Sequence, residues 1–177
     1  MNIACPELRF RQVHLDFHTS EEIDDVGINF DEKEFISRLK KGHVNSVTAF
    51  AVCHHGWSYY PTRVGECHPH LRTMLLPRML EAAKAADIEM PVYITVGWNE
   101  RIARLHPEWV VRNRHGVELD WKIIDNQRES WKRVCLNTPY LDHLAEVTRE
   151  IMELYHPVGI FYDIIRETPC YCDSCVR

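Results

Sequence analysis

The sequence predicts an α/β fold: the N-terminal part of a (β/α)8 TIM barrel, about four β/α units, and hence a fragment of that barrel. Three observations carry the prediction. Short apolar runs alternate with segments of helical periodicity, the pattern of right-handed βαβ units on a parallel sheet. No glycine-rich phosphate loop follows the first strand, which argues against an open nucleotide-binding sheet. The chain has 177 residues, whereas a closed barrel takes about 250.

The first strand lies within residues 11–18, where Val13, Leu15 and Phe17 alternate with His14, Asp16 and His18. Two imidazoles and a carboxylate on the polar face point to a polar interior rather than to solvent. Asp31 caps a helix carrying Phe35, Ile36 and Leu39, and Gly42 stops it. Residues 44–53 are almost all apolar or small, as in a parallel strand covered on both faces. They run into His54-His55-Gly56-Trp57-Ser58-Tyr59-Tyr60-Pro61 and a loop to His70. A helix from about residue 75 to 87 leads to a third strand within residues 91–98. Residues 99–135 hold a short helix near 100–105 and then a polar stretch without clear period. Pro139 opens a helix bearing Leu141, Leu144, Val147, Ile151 and Leu154. The fourth strand, Gly159-Ile160-Phe161-Tyr162-Asp163-Ile164-Ile165, is apolar except for one carboxylate. Residues 1–177 read as one domain.

Composition narrows the function. The net charge is -5, with 21 basic and 26 acidic residues. No Lys/Arg-rich block appears, so nucleic acid is not an expected partner. There is neither an N-terminal leader pattern nor an apolar run of spanning length, so the expectation is a cytoplasmic chain with no membrane partner. Seven cysteines in such a chain point to metal binding or free thiols before disulfides.

Ligands of parallel α/β folds meet the C-terminal strand ends. Those ends collect His14, Asp16 and His18; then His54, His55, Trp57, Tyr59 and Tyr60; then Trp98, Asn99 and Glu100; and finally Asp163 and Arg166. Flat aromatics stack on sugar C–H faces, while imidazoles and carboxylates hold hydroxyls, so the rim is equipped for carbohydrate. Burying an unpaired Asp in an apolar strand costs several kcal/mol, so Asp163 is expected to face a polar cleft as the reactive carboxylate. Cys170, Cys172 and Cys175 form Cys-x-Cys-x2-Cys, and Cys135 is the best fourth ligand for a structural zinc with no open position. Cys5, Cys53 and Cys67 stand outside this set.

The set of motifs resembles the family known as hypothetical glycosyl hydrolase 6. The residues that carry the likeness are Arg11-Gln12-Val13-His14-Leu15-Asp16-Phe17-His18-Thr19, Val44-Asn45-Ser46-Val47-Thr48, Cys53-His54-His55-Gly56 with Ser58-Tyr59-Tyr60-Pro61, Cys135-Leu136-Asn137-Thr138-Pro139-Tyr140, and the Asp163 strand with its cysteines. Members of that family often continue into a beta-galactosidase trimerisation-type domain, which implies a homo-oligomer for a full-length form. His54-His55-Gly56 is also similar to the sugar-binding His-His segment of family 29 alpha-L-fucosidases. Their nucleophile, an Asp at the end of the fourth strand, maps onto Asp163. The cysteine run is similar to the zinc cluster of family 42 beta-galactosidases, although the Asn-Glu pair that precedes their cluster is absent.

The resemblance implies a fucosidase- or galactosidase-like glycosidase that acts with retention. Asp163 would be the nucleophile, and the acid/base would come from later strands; Glu100, Asp16 and Glu167 are weaker substitutes. On that reading the isolated chain is an incomplete enzyme. Two rivals are a non-catalytic carbohydrate-binding barrel and a metal-dependent hydrolase that uses His14, Asp16 and His18 with Asp163 as ligands.

Overall fold

A computed structural model describes residues 9–119, 131–166 and 168–176. Its centre is four parallel strands that are neighbours in sequence order: β1 (Gln12–His14), β2 (Ser46–Val52), β5 (Val92–Thr95) and β6 (Ile160–Asp163). Order without reversal puts every crossover helix on one side and curls the sheet, as in a barrel and unlike a doubly wound sheet. The helices are α1 (Glu32–Lys41), α2 (Leu75–Ala85), α3 (Glu100–Leu105), α4 (Tyr140–Tyr155) and the short α5 (Asp173–Val176). Among the described residues no helix is long and apolar enough to cross a membrane.

Local chemistry accounts for these elements. Asp31 accepts the Glu34 amide at 2.7 Å, acids occupy the first turn of α1 and Arg38, Lys40 and Lys41 the last, and Gly42 follows. All seven residues of β2 are buried, as expected of a strand covered on both faces. On its outer face Val47, Ala49 and Ala51 meet the helices; Leu76, Met79 and Ala83 of α2 are buried in the same core. On its inner face Phe50 lies in register with Tyr93 and Phe161. Phe50 and Tyr93 stack at 3.7 Å, and Phe161 continues the stack at 5.9 Å. His14 lies edge-on to Phe50 and Tyr93 on that face.

The structure departs from the sequence reading in three places. The first strand ends at His14, and the chain then crosses over the sheet with Phe17 stacked on Phe50. The stretch from 54 to 70 is not all loop: β3 (Trp57–Ser58) folds back antiparallel on β2, and β4 (Glu66–Cys67) pairs with β3. The stretch after β5 builds a satellite core of Ile102, Ala103, Val110, Val134 and Tyr140. A 3-10 turn (Pro107–Trp109) and bridges from Val110 to Val134 and Trp98 to Arg133 close it. These contacts span distances in sequence that no local period reports.

Candidate active site

The site lies on the inner face, where β2, β5 and β6 end. Residues 93 and 95 point inward from β5, and 161 and 163 point inward from β6, because side chains alternate along a strand. The register pairs Thr95 with Asp163. Asp163 Oδ2 accepts the Tyr93 hydroxyl at 2.8 Å, and Oδ1 accepts the Ile164 amide at 2.8 Å. His54 Nε2 stands 3.9 Å from Oδ2, and the Asp163 side chain remains 33% exposed. The carboxylate is therefore held on two sides and open on a third.

His54 is buried, and its tautomer follows from its partners. Thr95 Oγ1 donates its single proton to the Trp98 carbonyl, so it accepts from His54 Nδ1 across 2.7 Å. Nδ1 thus carries the hydrogen, and Nε2 presents a lone pair towards the Asp163 hollow. Burial pushes the imidazole down to about 3, with the like charges of His18 and His55 adding to the effect, so His54 is neutral near pH 7. Burial with the Asp163 hydrogen bond likewise pushes the Tyr93 phenol up, keeping it a donor.

Above His54 lies His18, stacked at 3.9 Å between ring centres. His18 Nδ1 accepts the His54 amide at 3.1 Å, and Nε2 reaches Asp16 at 3.0 Å. Trp131 closes the far wall, 4.8 Å from His54 and 5.2 Å from His18, with its indole N–H on His55 Nε2 at 3.3 Å. Trp98 is buried edge-on behind His54.

Two glycines make this crowding feasible. Gly56 has φ +87, and a Cβ there would lie 2.3 Å from Asn99 Oδ1. At Gly97 a Cβ would lie 2.2 Å from the Ile164 carbonyl oxygen. Ile164 itself sits at φ 58, a costly setting for a β-branched residue. The backbone immediately after Asp163 is thus turned sharply and pressed onto the end of β5.

Residues 31–164 match the family described as hypothetical glycosyl hydrolase 6. The chain belongs to that family. Among solved structures it resembles alpha-L-fucosidase isoenzyme 2 from Paenibacillus thiaminolyticus, with 45% identity and a TM-score of 0.88, over 95% of this chain and 25% of that one. It therefore spans about a quarter of that protein's length. It also resembles Thermotoga maritima alpha-fucosidase in complex with fucose, at 17% identity and TM-score 0.57, over 81% of this chain and 31% of that one. A hypothetical protein from Ruminiclostridium thermocellum ATCC 27405 follows at 14% identity and TM-score 0.61, over 78% and 71%. These last two share the fold. No curated protein matches the chain.

In this hypothetical glycosyl hydrolase 6 member, the rim expected from sequence is only partly assembled. Asp16, His18, His54, His55, Trp98 and Asp163 come together, and His14 lies below them on the Phe50–Tyr93–Phe161 stack. Trp57, Tyr59 and Tyr60 do not present faces to the hollow. Trp57 is buried, donates to Glu21 and is covered by Arg101. The Tyr59 hydroxyl is tied to Thr19 and the Phe17 carbonyl, and the Tyr60 hydroxyl donates to Glu150 of α4 at 3.0 Å. The antiparallel turn-back of β3 sends these rings into the core. Glu100 accepts the Lys132 amide and pairs with Arg104, which engages it on the loop side. Glu167 lies outside the described residues. Tyr93, Thr95 and Trp131 were not read from the sequence as site residues; the first two sit inside an apolar strand, and the last in a stretch without period.

Arg166 lines a separate cavity beside the cysteines. The Sγ atoms of Cys135, Cys170, Cys172 and Cys175 all lie within 4.8 Å of one another, and the Cys135–Cys175 separation is 3.5 Å. Zn–S bonds of about 2.3 Å place tetrahedral sulfurs about 3.8 Å apart, so the four thiols fit a closed metal site. Among the described residues His14, Asp16 and His18 form no such group with Asp163. His18 Nδ1 is engaged by the His54 amide and Nε2 by Asp16.

Proposed function

We propose that the chain carries the nucleophile half of a retaining glycosidase site of alpha-L-fucosidase type, with Asp163 as the nucleophile. The arrangement of Asp163 around His54 and Tyr93 supports this reading. Asp163 has one exposed edge and two fixed hydrogen bonds, so its lone pairs are aimed rather than free. In the first step an Asp163 oxygen bonds to the anomeric carbon as the bond to the leaving oxygen breaks; a second carboxyl group protonates that oxygen. Water then cleaves the glycosyl ester, with the second carboxylate as base. That second carboxylate, about 5–5.5 Å from the first in retaining enzymes, is assigned to a part of the protein outside the described residues.

His54 Nε2 is suited to accept a sugar hydroxyl, because its neutral tautomer offers a lone pair beside Asp163. His18 and His55 extend the polar wall, Trp131 supplies the aromatic one, and Trp98 supports His54 from behind. Arg166 lines the neighbouring cavity beside the cysteines and stands outside this wall. We assign the four cysteines a structural zinc, since a closed four-thiolate set leaves no position for substrate.

The deciding experiment needs no acid. A 2-deoxy-2-fluoro glycosyl fluoride carries a leaving group that departs unprotonated, so Asp163 alone suffices for the first step. Intact-mass analysis should show one glycosyl adduct per chain, mapped to Asp163 and absent in Asp163→Asn. An adduct elsewhere, or none while the same sugar binds, would favour the non-catalytic carbohydrate-binding barrel.

A further inference from the structure

The cavity beside the cysteines has a character that neither the nucleophile nor the thiols account for. It encloses about 460 Å³ at the carboxyl end of β5 and β6, within the usual size of a small-molecule site. Gly97 and Ile164 line the side next to Asp163, while Arg133, Arg166, Asn137 and Thr168 supply its polar groups. Arg133 donates to Thr168 Oγ1 at 2.8 Å, which orients its guanidinium. Among the described residues neither Arg133 nor Arg166 has a carboxylate partner. Of the other described guanidiniums most are paired, among them Arg72 with Asp25, Arg78 with Glu32, Arg101 with Glu66, Arg104 with Glu21 and Arg112 with Glu118, while Arg11 and Arg114 reach a carbonyl and a histidine instead. Acids outnumber bases by 26 to 21, so carboxylates are not scarce. Two guanidiniums without such partners, turned to one cavity with two neutral polar neighbours, are matched to a bound oxyanion.

We propose that Arg133 and Arg166 form an oxyanion subsite beside Asp163, and that it takes the negative group of a charged carbohydrate, either a uronate carboxylate or a sulfate ester. The carbohydrate part rests on the glycosidase reading; the oxyanion part does not. A competing role for the two arginines is to offset the cysteine cluster, since four thiolates around a divalent ion leave two negative charges. Metal content separates the two.

The test uses the 177-residue chain as purified, with its metal measured. Titration calorimetry would compare methyl glucuronide with methyl glucoside, galactose 6-sulfate with galactose, and inorganic sulfate alone. At least one anionic sugar should bind roughly tenfold or more tighter than its neutral counterpart, about 1.4 kcal/mol. Arg166→Gln and Arg133→Gln should each abolish that advantage with neutral-sugar affinity and metal content unchanged, and Arg133→Lys should restore part of it. If Arg133→Gln does not fold, exposed Arg166 carries the test alone. Sulfate binding that depends on the arginines without any neutral-sugar binding would sustain the subsite and sink the glycosidase reading. Equal affinity for charged and neutral sugars, or loss of metal from the Gln variants, would overturn the subsite.

Discussion

His54 Nε2 stands 3.9 Å from Asp163 Oδ2, and the Tyr93 hydroxyl reaches both residues, at 2.8 Å to the carboxylate and 3.4 Å to the imidazole. One phenol from the middle strand thus sets the spacing between a buried imidazole on one side and a half-open carboxylate on the other.

Tyr93→Phe keeps the ring stack with Phe50 and removes the donor. A hydrogen bond to a charged group contributes about 1.5–3 kcal/mol, so adduct formation at Asp163 should slow roughly 10- to 100-fold and Tm should fall by several degrees. Time-resolved intact mass measures the first and a thermal melt the second.

Thr95→Val leaves the buried His54 Nδ1–H without its acceptor. An unsatisfied buried donor costs about 1–3 kcal/mol, so the variant should unfold at lower denaturant and bind sugar more weakly. Thr95→Ser restores the oxygen and should recover both. Chemical denaturation with calorimetry reads the pair, and a Val variant as stable as the parent would refute the assigned tautomer.

The His54 imidazole sits at about 3 in the fold, below the 6.5 of an unperturbed histidine. Between those values the unfolded chain holds a proton that the folded chain refuses, so stability falls as pH drops from 6.5 towards 3. Above 6.5 this group adds no slope. Each pH unit inside the window should lower the folding constant up to about tenfold from this residue. Denaturation midpoints from pH 7.5 to 4.5 would show the slope, and His54→Phe should flatten it.

A Cβ at residue 97 would meet the Ile164 carbonyl at 2.2 Å. Gly97→Ala must therefore push the turn after Asp163 away from β5, at a cost of about 1–3 kcal/mol. The expected result is a lower melting temperature together with slower labelling at Asp163, because Asp163 and Ile164 move as one turn. Gly116→Ala, where nothing lies within 4 Å, is the control.

Metal analysis should find about one zinc per chain. Cys172→Ser should lose it and lower Tm, whereas His18→Ala should retain it. Metal retained in Cys172→Ser but lost in His18→Ala would mean that the ion sits on the histidine side instead.

Some of this was legible in the chain itself, because it depends on local periods. The alternation of apolar runs and helical stretches defines four parallel strands, since period 2 and period 3.6 are properties of neighbouring residues. The Asp that interrupts the last strand and the three close cysteines are visible for the same reason. Tertiary structure decided the rest. The register of Phe50, Tyr93 and Phe161 turns the Tyr93 hydroxyl and Thr95 onto Asp163, and register is set by pairing between strands far apart in sequence. The folding back of β3 buries Tyr59 and Tyr60, which the sequence alone placed on the rim. The joining of Cys135 to the later cysteines is expected from the need of zinc for a fourth ligand, whereas Trp131 joins His55 across 76 positions. Such meetings depend on packing energy summed over the whole core, and no window of neighbouring residues contains that sum.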